Sequence, residues 1–293
     1  MKYGLLGIDV DGTLLDRDHQ LSADVIDAVV AAERTGIKVC LATGRSYTET
    51  IDIWRGLRFE QPPAPLVLIG GAQVCEADTG RTLYQRSMPR ELACEFADAL
   101  GEAGYCAMAI IDSWRHGWDY MLAETGDVHA AQGDWFSKMD VEIRRVKHLR
   151  DAADMPNPLR INAVADPAAA GELAERLKEQ FAGRLNVHAI VAPNYNVTIV
   201  EAFSIEANKW NALKYVAQGY RLGPGRVAAV GDDVNDLAMI CGAGLGVAMP
   251  SASPEIRAAA DHVAEGGLAE FIRALADGAF DEDARSVSNG AQT

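Results

Sequence analysis

The sequence predicts an α/β protein: a doubly wound core built on a parallel sheet, interrupted by an inserted α+β domain. Three observations predict it. Short apolar runs alternate with amphipathic stretches over the first eighty residues; the texture changes between about 82 and 189; and the first texture resumes near 198. The chain has 293 residues, and at roughly 100–200 residues per domain this is enough for two domains, or for one with a large insertion.

Residues 4–8 form a short apolar run of the kind a strand buried on both faces produces. Ser22 is placed to cap a helix whose Val25, Ile26, Val29 and Val30 share one face, with its end near Gly36. Residues 37–42 read as a second buried strand and 46–56 as a helix. After a loop rich in proline (Pro62, Pro63, Pro65), residues 66–69 read as a third strand. From about 82 the pattern mixes: a helix over 90–103, extended segments at 105–112 and 118–122, a polar stretch, a strand at 160–164 and a helix at 167–181. Strands expected at 198–200, 226–230 and 245–247 return the chain to its core, and Pro254 after Ser253 suits the first turn of a helix. On this reading the core is residues 1–81 and 190–276, the insertion is 82–189, and the polar, acidic tail 277–293 is disordered.

Hydrophobic residues make up 49% and charged residues 24%, which excludes a mainly disordered chain. Against 42 acidic residues stand 27 Lys and Arg, a formal charge of -15 that repels nucleic acid and anionic membrane alike. An anionic ligand would need a metal ion or a local cation to hold it. The five cysteines are widely spaced, without a C-x-x-C pair, and read as reduced thiols. The first residues lack the cleavage site of a signal peptide, and no run of about 18 uncharged apolar residues occurs. A cytoplasmic protein with no membrane and no nucleic-acid partner is expected; oligomeric state is not legible.

Three polar clusters directly follow buried strands: Asp9-Val10-Asp11-Gly12-Thr13, Thr43-Gly44-Arg45, and Gly231-Asp232-Asp233-Val234-Asn235-Asp236. In a parallel sheet the carboxyl ends of the strands share one edge, where ligands bind. Clusters far apart in sequence thus converge in space. Alone, each is also what a turn or a helix cap requires; their joint occurrence, each after an apolar strand, carries the inference. Asp9, Asp11, Asp232 and Asp236 would gather up to four carboxylates, and each like-charge pair at 4 Å costs about 4 kcal/mol at an effective dielectric of 20. A cation is required among them. Oxygen ligands without His or Cys favour a hard ion, Mg²⁺ over Zn²⁺, and the acids do not have the spacing of a calcium loop.

These residues resemble the haloacid dehalogenase-like phosphohydrolases, in particular the Cof-type branch with a cap of the C2B type inserted between the second and third motifs. Asp9-Val-Asp11-Gly-Thr13 is similar to the first motif, Ala42-Thr43-Gly44-Arg45 to the second, Lys209 to the third, and Gly231-Asp232 through Asn235-Asp236 to the fourth. The resemblance implies a Rossmann-like core and a phosphoric monoester hydrolase acting through an aspartyl-phosphate. Asp9 would be the nucleophile and Asp11 the general acid and base, kept protonated by neighbouring carboxylates. Thr43 and Lys209 would donate to the phosphoryl oxygens. Mg²⁺ would be held by the Asp9 side chain, the Asp11 backbone carbonyl and Asp232, with Asn235, Asp236 and Arg45 in support. Small phosphorylated metabolites, sugar phosphates first, are the implied substrates. A phosphomutase, or an inactive binding module on the same scaffold, is the alternative.

The sequence also departs from that pattern. Lys209 is followed by Trp210 where the branch has glycine, and Gly70-Gly71-Ala72 stands where Asn-Gly-Ala is usual. Gly70 and Gly71 therefore mark a divergent substrate pocket. In the insertion, Trp114-Arg115-His116-Gly117-Trp118-Asp119-Tyr120 offers Trp114 and Arg115 as substrate contacts; aromatic packing of the insertion's own core is the competing reading.

Overall fold

The computed structural model describes residues 2–16, 18–126, 128–192 and 196–281. The chain folds into two compact units: Met1–Leu68 with Glu76–Asp78 and Lys209–Thr293, and Ile69–Cys75 with Thr79–Asn208.

In the first unit five strands pair in parallel. The order across the sheet is His262–Val263, Leu245–Ala248, Val227–Gly231, Leu5–Ile8 and Lys38–Leu41. Ala42 bridges to Val67, which brings Leu66–Leu68 alongside. The strands are short and apolar because helices cover both faces; Leu5, Leu6, Ile8, Val39, Leu41 and Val227 are all buried. Ser22 caps the helix Ala23–Arg34 by accepting from the Val25 amide, and that helix buries Val25, Ala28, Val29 and Ala32. Ser46 and Glu49 form a reciprocal capping box on Tyr47–Gly56. Ser253 caps the helix that Pro254 opens. From the Leu5–Ile8 strand the chain winds first to Lys38–Leu41 on one side and, after the second unit, to Val227–Gly231 on the other. The sheet reverses direction there, and the crevice outside the carboxyl ends at such a reversal is where α/β folds bind ligands.

The second unit is built on a six-stranded sheet, ordered Leu185–Ala192, Val197–Ser204, Arg160–Ala165, Ala107–Ile110, Tyr120–Ala123, Ile143–Val146. All pairs are antiparallel except the last. Helices Arg90–Glu102 and Pro167–Gln180 bury Phe96, Leu100, Leu173 and Leu177 in an apolar cluster with Ala109, Ile161, Ala163, Val200 and Ala202 of the sheet.

Several expectations are corrected. The strand expected at 198–200 in the core is Val197–Ser204, an eight-residue strand of the second unit that pairs with Leu185–Ala192 on one side and Arg160–Ala165 on the other. Pairing, not proximity in sequence to Lys209, decides its place, so the units divide after Asn208 rather than at 189. The hairpin Gln73–Cys75 with Thr82–Gln85 also belongs to the second unit, pinned by Gln73 Nε2 donating to Thr82 Oγ1 and Thr82 Oγ1 donating to the buried Asp112. The polar stretch contains a helix, Ala130–Lys138, and the edge strand Ile143–Val146. Of the tail expected to be disordered, residues 277–281 are folded: Phe280 packs edge-on against His262 and beside Phe271. Residues 282–293 lie outside the described residues. Among the described residues no helix is long and apolar enough to cross a membrane.

Candidate active site

Asp9 follows directly on the Leu5–Ile8 strand, its amide donating to the Val230 carbonyl of the neighbouring strand. Asp232 follows directly on that neighbour, Val227–Gly231. One turn further Asp236 closes a capping box with Asp233 at the head of a 3₁₀ turn, Val234–Asp236. Adjacent parallel strands thus deliver three carboxylates to one place: oxygens of Asp9, Asp232 and Asp236 lie within 4.8 Å of one another. Gly12, at φ 84°, makes room for them, because a Cβ there would stand 2.3 Å from Asp232 Oδ2.

Lys209, first residue of the helix Lys209–Gly219, is completely buried. Its ammonium donates to Asp9 Oδ1 at 2.6 Å, to Asp236 Oδ1 at 2.6 Å and to Asn235 Oδ1 at 3.4 Å. Burial opposes its charge, but Asp236 and Asp9 outweigh that penalty and hold Lys209 above the usual lysine range. Asp9 is pushed well above the usual carboxylate range by burial and by Asp236, against the pull of Lys209. Asp232 is raised to about 6, mainly by burial, with the Thr13 hydrogen bond opposing and Asp236 adding to the rise. Thr13 Oγ1 donates to Asp232 Oδ1 at 2.9 Å. Asp236 Oδ2 accepts from the amides of Asp232 and Asp233 and so fixes the loop that carries Asp232.

Three carboxylates face one ammonium here. The donors are all oxygens, two of the acids are held above their ordinary range, and the set fits a hard divalent cation such as Mg²⁺.

Two assignments change. Asp236, expected as a supporting residue, is fully buried and shares Lys209 with Asp9. Asp11, expected among the carboxylates, turns its side chain away to Arg45, whose fork donates to both oxygens at 2.8 and 2.5 Å, and has His19 Nδ1 at 3.7 Å. The Asp11 carboxylate thus sits against the Arg45 guanidinium and the His19 ring rather than among the acids expected around it. Thr43 is buried at the end of the Lys38–Leu41 strand, with its amide donating to Val67 and its hydroxyl accepting from the Arg45 amide. Sequence reasoning assigned no role to Thr13 or His19. Thr13 stood in the first cluster and its hydroxyl was the signal; no spacing marked His19.

The remaining candidates belong to the second unit. Trp114 is 53% exposed on the one-turn helix Ser113–His116, and Arg115 pairs with the buried Asp112 at 3.1 Å. Trp118 and Tyr120 are buried as packing residues. Gly70 has φ 62°, and a Cβ there would meet the Phe203 ring at 3.0 Å. The missing side chain is therefore explained by Phe203. Gly71, which is buried, shares the Ile69–Gly71 turn.

The family model of haloacid dehalogenase-like hydrolases matches residues 6–272, spanning all three clusters and Lys209. The chain belongs to that family. Membership bears out the resemblance to haloacid dehalogenase-like hydrolases, the parallel-sheet core and the enzymatic class expected from the sequence. Among curated relatives of this hydrolase, "Phosphatase YwpJ" of Bacillus subtilis is 25% identical over 92% of this chain and 99% of its own. "5-amino-6-(5-phospho-D-ribitylamino)uracil phosphatase YitU" of the same organism is 23% identical over 92% of this chain and 96% of its own. A solved haloacid dehalogenase-like hydrolase from B. subtilis superposes with a TM-score of 0.74 at 24% identity, covering 94% of this chain and all of that one. Its likeness speaks for the fold.

Proposed function

We propose that this hydrolase is a Mg²⁺-dependent phosphatase of small phosphorylated metabolites that works through an aspartyl-phosphate on Asp9. The observation that carries the reading is the buried Lys209 ammonium, 2.6 Å from Asp9 Oδ1 and from Asp236 Oδ1, beside a third carboxylate, Asp232. Relatives called phosphatases support it.

Asp9 and Asp232, with the Asp11 backbone carbonyl, would hold the metal, which when bound offsets the charge that repels a phosphate dianion. Lys209 keeps an Asp9 oxygen oriented and opposes the burial that would protonate it. An ionised Asp9 oxygen attacks phosphorus and the ester P–O bond breaks. The leaving alkoxide takes a proton and departs as the alcohol. Water then attacks the phosphorus of the aspartyl-phosphate, gives up a proton, and the P–O bond to Asp9 breaks to release phosphate. Asp11 is the proton donor and then acceptor. To act it must leave the fork of Arg45, which engages both its oxygens. Thr43, buried at the same sheet edge, supplies a hydroxyl for the transferring phosphoryl group.

Release of phosphate from a generic aryl phosphate, with and without Mg²⁺, tests the proposal. Metal-dependent release that disappears in Asp9→Asn is expected; no metal-dependent release, or release that survives Asp9→Asn, overturns it.

A further inference from the structure

The loop that follows the Leu5–Ile8 strand carries Asp11 and folds back on it. Leu14 and Leu15 donate their amides to the Asp9 and Val10 carbonyls, and Leu15 bridges to Asp11. Beyond Leu15 the chain closes a tight turn around Asp16. The Asp16 amide donates to the Gln20 carbonyl, and Asp16 Oδ1 accepts from the amides of Asp18 and Gln20 at 2.9 and 2.8 Å. The His19 amide donates to the Asp16 carbonyl. Within this turn His19 has φ 56°, in the left-handed region. Glycine or asparagine ordinarily takes such a position, and a larger side chain held there points to a role for that side chain rather than for the turn.

The ring reaches Asp11. Its Nδ1 stands 3.7 Å from Asp11 Oδ1, and among the described residues the imidazole has no other polar partner. Asp11 thus has two neighbours of different origin. Arg45 follows another strand, Lys38–Leu41, and its fork engages both Asp11 oxygens. His19 belongs to the loop of Asp11 itself and approaches Oδ1 alone.

We infer that His19 is a positioning residue for proton transfer by Asp11: when Asp11 leaves the Arg45 fork, His19, tied to the same loop, stays with it and donates from Nδ1 to Oδ1, which reserves Oδ2 for the proton. This inference rests on the phosphatase reading. Protonated on Oδ2, Asp11 passes that proton to the oxygen of the departing alcohol as the ester P–O bond breaks, and the attacking water later returns a proton to Oδ2. His19 neither gains nor loses one. A carboxyl group anchored at one oxygen cannot exchange its two oxygens by rotation, so the acid is presented in a single orientation.

Two esters and two variants test it. 4-Nitrophenyl phosphate releases a phenolate stable enough to leave without a proton, whereas phenyl phosphate releases a more basic one that benefits from an acid. Glycine suits the left-handed turn and removes the ring; asparagine suits the turn and puts its Nδ2 where His19 has Nδ1. The readout is kcat/KM with Mg²⁺, which covers the steps up to cleavage of the ester bond. His19→Gly should lower it roughly tenfold for phenyl phosphate, part of the factor of about 10²–10⁴ that a general acid supplies, and by less than about twofold for 4-nitrophenyl phosphate. His19→Asn should stay within about threefold of the wild type on both esters. Both variants should unfold near the wild-type temperature, because each accepts this backbone. Equal losses on the two esters, no loss on phenyl phosphate, or an asparagine variant as impaired as the glycine variant overturns the inference. So does a glycine variant that unfolds well below the wild type, which would make the ring a prop for the turn. A wild type that releases no phosphate from either ester overturns the phosphatase reading and this inference with it, whereas the other outcomes leave that reading standing.

Discussion

Lys209 and Asp236, 27 positions apart in the chain, share a hydrogen bond of 2.6 Å in which neither side chain touches solvent. The same ammonium reaches Asp9, so one buried cation serves two buried acids, and neither acid has a comparable partner in the other. Removing one member of such an arrangement leaves an uncompensated charge, which costs about 3–5 kcal/mol.

Lys209→Met therefore strikes stability and chemistry together. We expect the divalent-free variant to unfold about 3–5 kcal/mol more easily than wild type in urea at pH 7.5, and to lose at least a hundredfold in kcat. Mg²⁺ should narrow the stability gap, since it supplies positive charge beside the same acids. A variant as stable as wild type without metal would show that Lys209 does not balance Asp9 and Asp236.

Asp232 gives a prediction with a pH signature. Burial first, and Asp236 next, raise it to about 6 in the folded protein, against about 3.9 in an unfolded chain. Between those values the folded state holds a proton that the unfolded state lacks, so this group's contribution to stability falls as pH rises from about 4 to 6. Above that window Asp232 is ionised in an unfavourable place. Asp232→Asn should thus raise the Tm of the divalent-free protein at pH 8 and have far less effect near pH 4. Adding Mg²⁺ at pH 8 should raise the Tm of the wild type and leave the variant almost unmoved. Thermal unfolding at the two pH values, with and without metal, decides it; an equal Tm change at both would refute the assignment.

The parts of this fold that could be read from sequence share a physical cause. Strands buried on both faces leave unbroken apolar runs, as at Leu5–Ile8 and Val227–Gly231, and the polar residues that end such runs mark the carboxyl edge. That placed Asp9, Thr43 and Asp232 correctly on their strands. Leu185–Ala192 was not legible because Asn186 and His188 interrupt its apolar pattern; they alternate with Leu185, Val187 and Ala189, which face the apolar cluster. Missing that strand also misplaced its partner Val197–Ser204 and the end of the second unit. Within the site, spacing located Asp11 two residues from Asp9 but not the direction of its side chain, which Arg45 and His19 determine from elsewhere in the chain. The weight of Asp236 was likewise hidden, since its burial and its bond to Lys209 come from packing between segments.

The Trp210 that follows Lys209 has a structural counterpart in Gly242. Helix Lys209–Gly219 packs on helix Leu237–Gly242, and a Cβ added at Gly242 would stand 2.4 Å from Cε2 and Nε1 of the Trp210 indole. The room that the indole beside Lys209 needs is left by Gly242 on the facing helix. Gly242→Ala should overpack this contact and cost about 1–3 kcal/mol. Because the displaced group is the residue next to Lys209, kcat should fall as well. Trp210→Leu in the Gly242→Ala background should recover part of the lost stability, giving a coupling of at least about 1 kcal/mol between the two positions in a double-mutant cycle. Urea unfolding of the four proteins measures it: strictly additive effects would mean that the indole moves aside freely, and that Gly242 does not set the position of the helix start carrying Lys209.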